Sequence, residues 1–285
     1  MLNVLIKYGK KVLLVLIFTA MLIARGTIVS HADYSENTER DVDIVVRAGE
    51  WQNMFEAKPG KRYEWGKDIN ISDHGLTLDD IPNDIPIRKD VETGTFFISE
   101  ADINLKTARV LAHKLSKMGV DVDLQYSTNK SEDLNAAGRM ADKKNPSIYV
   151  SIHHNSWKED TEGYFFMYNE GDYNSSRIAS RLNEALRYNG YVPQKKNRVN
   201  DGYIGELNHV YKSGRICVLG ELGFFSNPNE LKYIMSDEYV DVVTTNMARE
   251  LYNTLIEMNT HSCTTLQETY EQIQSKAREV LKYIL

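Results

Sequence analysis

The chain has 285 residues with 34 Lys and Arg against 40 Asp and Glu, a formal net charge of −6. That balance carries no basic excess, which excludes a reading built on nucleic-acid binding. Two cysteines are too few for a disulfide-built scaffold, and the length is ample for a domain that buries its own core.

The N-terminus has the layout of an export signal. Lys7, Lys10 and Lys11 precede the apolar run Val12 to Ile23, and Ser30-His31-Ala32 offers the small residues that a signal peptidase reads. Cleavage after Ala32 is the expectation, leaving an exported protein in the cell wall or outside the cell. Twelve apolar residues are short for a membrane span, which needs about 20. No stable span is expected once residues 1–32 are removed.

Asp43 to Arg47 reads as a short strand running into Ala48-Gly49-Glu50-Trp51, which puts Glu50 at its carboxyl edge. The stretch 51–99 has little periodicity and reads as an insertion, rich in Gly, Pro, Asp and Lys with Phe55, Tyr63, Trp65, Phe96 and Phe97 interspersed. Within it, Asp68 to Ser72 is a weaker strand, followed by Asp73-His74-Gly75. Ser99 to Met118 is a helix, opened by Ser99 with Asp102 three residues on. Leu105, Ala108, Leu111, Leu115 and Met118 form its apolar stripe, and Gly119 its stop. Glu100 in the first turn has a plain explanation as a complement to the helix dipole.

Val120 to Tyr126 alternates as a strand, and Glu132 to Lys144 reads as a short helix. Ser147 to Asn155 (SIYVSIHHN) is a buried strand ending in two histidines. Side chains alternate along a strand, so only one of His153 and His154 can enter a given site. Gly163 to Tyr168 is another strand, Asn174 to Asn189 a helix, and Ile216 to Leu219 a strand leading into Glu221. Helices around Asn229 to Met235 and Asp237 to Met258 follow. Cys217 reads as a core residue, and a Cys217–Cys263 disulfide stays an option in an oxidising compartment. Residues 260–285 are a helical extension, read either as a helix packed on the domain or as a docking segment for a protein partner.

The recurring strand and helix order predicts an α/β fold: a single three-layer domain, residues 41–259, with a twisted, largely parallel sheet flanked by helices, plus the C-terminal helix. Glu50, Glu100, His153 and Glu221 all fall at strand ends or helix starts. Three ligands with an open fourth position is the pattern of a catalytic zinc site, and a neighbouring carboxylate can then move protons.

SIHHN at 151–155 and ELGFFSNPNE at 221–230 resemble the two downstream motifs of the zinc-dependent N-acetylmuramoyl-L-alanine amidases, the type-3 amidase catalytic domain. EADINLKTARVLAHKL at 100–115 and GVDVDLQYS at 119–127 resemble that family in order and spacing. The resemblance implies hydrolysis of the amide between N-acetylmuramic acid and L-alanine of bacterial peptidoglycan, with Zn2+ as cofactor. It makes Glu100 and His153 zinc ligands and Glu221 the general acid/base, with Asn155, Ser226 and Asn227 as supports.

The sequence departs from that family at the first ligand. Its strand ends in Gly-His-Gly-Gly, whereas here Glu50 stands at the His position and Trp51-Gln52 at the Gly pair. The expected metal set is Glu50, Glu100 and His153, with His74 as the alternative third ligand. The other reading is a catalytically weak or inactive relative that binds peptidoglycan or a partner protein.

Overall fold

The computed structural model describes residues 41–51, 63–64, 68–127, 134–187 and 194–259. The leader 1–32, the extension 260–285 with Cys263, and Phe55 and Trp65 of the insertion lie outside the described residues.

A six-stranded sheet organises the domain, in the order β6-β1-β7-β10-β8-β9. Four strands run parallel: β1 (Ile44–Trp51), β6 (Val122–Ser127), β7 (Ile148–Asn155) and β10 (Ile216–Phe224). β8 (Phe165–Asn169) is antiparallel to β10, and the short β9 (Arg198–Asn200) lies parallel to β8. Near-continuous burial along β1, β7 and β10 follows from helices covering both faces.

Those helices are α1 (Glu100–Lys117), α2 (Leu134–Asp142), α3 (Tyr173–Leu186), α4 (Gly205–Lys212), α5 (Pro228–Ile234) and α6 (residues 237–259). Strand alternation divides the core in two. Ile44, Val46, Ile148, Val150 and Val218 pack with α1, α3 and α6 through Leu111, Leu115, Leu182 and Leu251. Val45, Tyr149, Cys217 and Leu219 pack on the other face with Leu207 and Val210 of α4. Each such aliphatic side chain, fully buried, contributes about 1.5–3 kcal/mol. The result is the expected three-layer α/β domain with a largely parallel sheet.

Ser99 caps α1 through its hydroxyl, which accepts from the Ala101 amide at 3.2 Å. Asp102 does not complete a capping box; it pairs with Arg88 of the insertion. The helix ends at Lys117, so Met118 leaves the apolar stripe and is 37% exposed. The described part of the insertion is more ordered than its composition predicts. It forms a small antiparallel sheet of β2 (Tyr63–Glu64), β3 (Asp68–Asn70), β4 (Arg88–Lys89) and β5 (Phe96–Ser99), ordered β2-β3-β5-β4. Phe97 is buried as a core residue. Outside that small sheet, of which only β3 was foreseen, β9 and α4 also went unforeseen, and α4 bears on the site. Among the described residues no helix is long and apolar enough to cross a membrane.

Candidate metal centre

β1, β7 and β10 are parallel neighbours, so their carboxyl ends meet at one edge of the sheet, where ligands gather in folds of this kind. β7 delivers His153 and His154 there on opposite faces. His153 turns towards α4, and His154 towards α1, where its Nδ1 meets Asn104 Oδ1 at 2.7 Å. On β10, Glu221 is the register partner of His153.

Glu100 reaches the same edge from the first turn of α1. Its Oε1 accepts from Asn104 Nδ2 at 3.0 Å and from the His154 amide at 3.3 Å. Asn104 lies one turn on from Glu100, the spacing at which helical side chains meet, and it also donates to the Gly49 carbonyl at 3.3 Å. Burial, then the charge of His153, pushes the His154 imidazole down to about 3, so that ring stays neutral. His154 is thus a support for Glu100, acting through Asn104.

The last turn of β1 is irregular. Its register with β6 shifts between Arg47 and Trp51, and Glu50 takes a left-handed backbone with φ 61°. For a residue with a Cβ that conformation costs roughly 1–2 kcal/mol, and such bulges re-aim side chains near sites. Here the outcome is that ligand atoms of Glu50, Glu100 and His153 all lie within 4.8 Å of one another. His74 is not in this group; its Nδ1 lies 2.9 Å from the Asn70 carbonyl, beside the small sheet. Gly49 faces the His153 ring so closely that a Cβ there would stand 2.2 Å from Cε1 and Nε2.

The electrostatics follow from burial among carboxylates. His153 Nδ1 is 3.6 Å from Glu100 Oε1, and its Nε2 is 3.7 Å from Oε1 of Glu206 on α4. Burial opposes protonation of His153, but Glu100 and Glu206, with Glu221, outweigh it and raise its pKa well above the ordinary value. Glu221 is half-buried with Oε2 sealed from solvent and without a hydrogen-bond partner. Burial pushes its carboxyl up to about 7, with Glu100 and Glu50 adding to the rise and His153 opposing it.

The remaining motif residues hold the frame. Ser226 Oγ accepts from the Trp157 amide at 2.9 Å, Asn155 accepts through its carbonyl from the Phe225 amide at 2.9 Å, and Asn227 caps α5. Gly223 has φ 138°, and a Cβ there would stand 2.7 Å from Ile234, so the irregular end of β10 after Glu221 requires glycine. Sequence reasoning missed Asn104, Glu206 and Arg47. The last was detectable as a charge inside an apolar strand, since buried charges need partners.

Comparison with known proteins agrees with this architecture. The sequence family described as N-acetylmuramoyl-L-alanine amidase matches residues 88–253, a span that leaves out β1 and Glu50. The germination-specific N-acetylmuramoyl-L-alanine amidase of Bacillus subtilis (strain 168) is 26% identical over 168 residues, covering 52% of this chain and 67% of that protein. An N-acetylmuramoyl-L-alanine amidase from Clostridium difficile 630 superposes with a TM-score of 0.53 at 19% identity, covering 76% of this chain and 97% of that one. Ami1 from Mycobacterium smegmatis gives 0.53 at 17% identity, covering 77% and 99%. At these identities the two structures show a shared fold. With the family match spanning more than half of its length, the chain belongs to the N-acetylmuramoyl-L-alanine amidase family.

Proposed function

We propose that this chain is an exported, zinc-dependent hydrolase that cleaves the amide between N-acetylmuramic acid and L-alanine in bacterial peptidoglycan. One observation carries the reading: Glu50, Glu100 and His153 converge at the sheet edge, with Glu221 in register beside them. Two carboxylates and an imidazole are donors that zinc accepts. Donors each about 2.1 Å from a tetrahedral ion stand roughly 3.4 Å apart, and the 3.6 Å between His153 Nδ1 and Glu100 Oε1 suits that spacing.

Zinc held there supplies an electrophile that polarises the scissile carbonyl and acidifies water. The chain's own groups do the rest. Glu221, in register beside His153, takes the proton of the attacking water and hands it to the alanine nitrogen, so the amine leaves neutral. Asn104 and His154 keep Glu100 aimed. Trp157 and Tyr203, 64% and 61% exposed, offer aromatic surfaces for glycan or peptide. The activity named for the Bacillus relative makes spore peptidoglycan a substrate to assay beside vegetative wall. The C-terminal extension is the segment to test for a protein partner.

A second reading, an amidase scaffold that binds wall or partner without cutting it, is favoured by one feature. Glu50 in place of the family's His adds a second negative charge to the donor set. Metal content of the chain from Asp33 onwards, purified without chelator, separates the two. About one zinc per chain, lost in Glu50→Ala and kept in His74→Ala, with alanine N-termini released from purified peptidoglycan, is expected. A protein that stays empty when given zinc overturns the hydrolase reading and leaves the binding module.

A further inference from the structure

Behind His153 the protein buries a polar chain that the proposed chemistry does not use. It consists of Arg47 on β1, Tyr149 on β7 and Glu206 on α4, exposed to 4%, 0% and 1%. Tyr149 Oη donates to Glu206 Oε2 at 3.1 Å, and Arg47 Nε lies 3.7 Å from the same oxygen. The other oxygen, Oε1, faces His153 Nε2 at 3.7 Å. That nitrogen is on the far edge of the ring from Nδ1, which faces Glu100. Both Nε2 and Oε1 are buried and neither has a hydrogen-bond partner, so each is available to the other.

Burying a carboxylate this deeply costs several kcal/mol even when it is paired. The neighbouring α4 positions, Leu207 and Val210, are apolar and pack into the core, so an apolar residue at 206 would be the cheaper solution for packing. A plain structural reading takes the Arg47–Glu206 pair as a tie between α4 and the sheet. That reading uses Oε2 alone and leaves the placement of Oε1 against His153 unexplained.

We infer that Glu206 is a positioning residue for the metal ligand His153. Its Oε1 is placed to accept the Nε2–H of the ring, 3.7 Å away, which favours the tautomer whose Nδ1 lone pair points towards Glu100. Arg47 and Tyr149 clamp the opposite oxygen, so the carboxylate cannot swing away. Metal-ligating histidines commonly donate their second N–H to a carboxylate, and removing that partner typically loosens the metal by roughly 10- to 100-fold. The inference rests on the proposed zinc site and adds the group that aims one of its ligands.

The test uses the full mature chain with zinc as the probe, in competition with a chromophoric chelator. Glu206→Gln keeps the shape and is expected to weaken zinc by roughly 10- to 100-fold. Since that variant strands Arg47, the double variant Arg47→Met with Glu206→Gln removes both charges together and serves where the single one fails to fold. Nitrogen-15 NMR of the zinc-loaded parent supplies a readout that a mere α4 tie would not move: the His153 proton is expected on Nε2, with slowed solvent exchange that either variant abolishes. A folded variant that binds zinc within threefold of the parent, or a parent whose His153 carries its proton on Nδ1, overturns the inference while leaving the zinc site standing. A parent that binds no zinc overturns the site itself and the positioning role with it.

Discussion

Gly49→Ala is the substitution for which the structure makes the sharpest demand. The added Cβ would stand 2.2 Å from Cε1 and Nε2 of His153 and 2.5 Å from Nδ1. Ordinary contact begins near 3.4 Å, so the ring must retreat by roughly 1 Å. It has little room, with Glu100 and Glu206 flanking its two nitrogens at 3.6 and 3.7 Å. Overpacking of this kind costs about 1–3 kcal/mol, which for a domain of this size lowers the melting temperature by roughly 2–10 °C. The functional loss should be larger in proportion, because a reacting or ligating atom misplaced by about 1 Å costs on the order of 100-fold. Thermal melting, chelator-competition zinc titration and wall hydrolysis on the same preparation check this. The reasoning is refuted if Gly49→Ala holds zinc and cuts wall like the parent, since the ring would then have had space that the geometry denies it.

Three further substitutions probe the separate roles. Glu221→Gln should keep its zinc and lose turnover by roughly 100- to 10,000-fold; loss of the metal instead would place Glu221 among the ligands. Glu50→His removes one negative charge from the donor set, and histidine tolerates the left-handed backbone found there. Zinc should be retained and the acid limb of the pH–rate profile should move to lower pH; an unmoved limb would separate Glu50 from the electrophile. Burial pushes the Glu230 carboxyl up from 4.5 to about 7, against hydrogen bonds from the Gly163 and Phe224 amides. The folded chain then holds a proton that the unfolded chain has lost, so stability falls as pH rises from about 4.5 to 7, by up to roughly 3 kcal/mol. Glu230→Gln should flatten that fall in urea titrations at pH 5 and 8, and parallel curves for parent and variant would count against it.

Elements with long buried runs were legible. β1, β7 and β10 are apolar because helices cover both faces, and α1, α3 and α6 carry stripes at helical spacing. What escaped was short or exposed. β9 has three residues with Arg198 and Val199 facing solvent, and the strands of the small sheet run to two to four residues. α4 has eight residues, no side-chain cap at Ile204, and Leu207 and Val210 as its apolar anchors, too few to set a period. The site was legible to the extent that its groups sit at element ends, as Glu50, Glu100, His153 and Glu221 do. Glu206 sits inside an unforeseen helix, 53 positions beyond the ring it faces in this numbering, and joins it only through the packing of α4 on the sheet. Asn104 was hidden differently: it lies inside a foreseen helix, but its task depends on His154 pointing back towards α1.

The charges of the site belong together as one arrangement. Glu50, Glu100, Glu206 and Glu221 surround a single imidazole, and among the described residues two arginines, Arg47 and Arg198, act on them. Arg47 is committed to Glu206 at the back, and Arg198 lies over the Phe165 ring, 4.3 Å from its centroid, near enough to act on Glu221. With the protein's groups alone, this excess raises the His153 imidazole against its burial, while burial first, and then Glu100 and Glu50, raise the Glu221 carboxyl, so each draws a proton into the cluster. A divalent cation held there would do the same work with two charges at one point, and on the proposed reading it would free His153 to ligate and Glu221 to accept a proton. Arg47 cannot substitute for that cation, because Glu206 separates it from the ligand edge. A glutamate at position 50 therefore strengthens the cluster's demand for a cation while weakening the electrophile that the cation provides. That opposition is why affinity for the metal and rate of hydrolysis should move in opposite directions when histidine replaces Glu50, whereas Glu50→Ala removes a donor outright and should lower both.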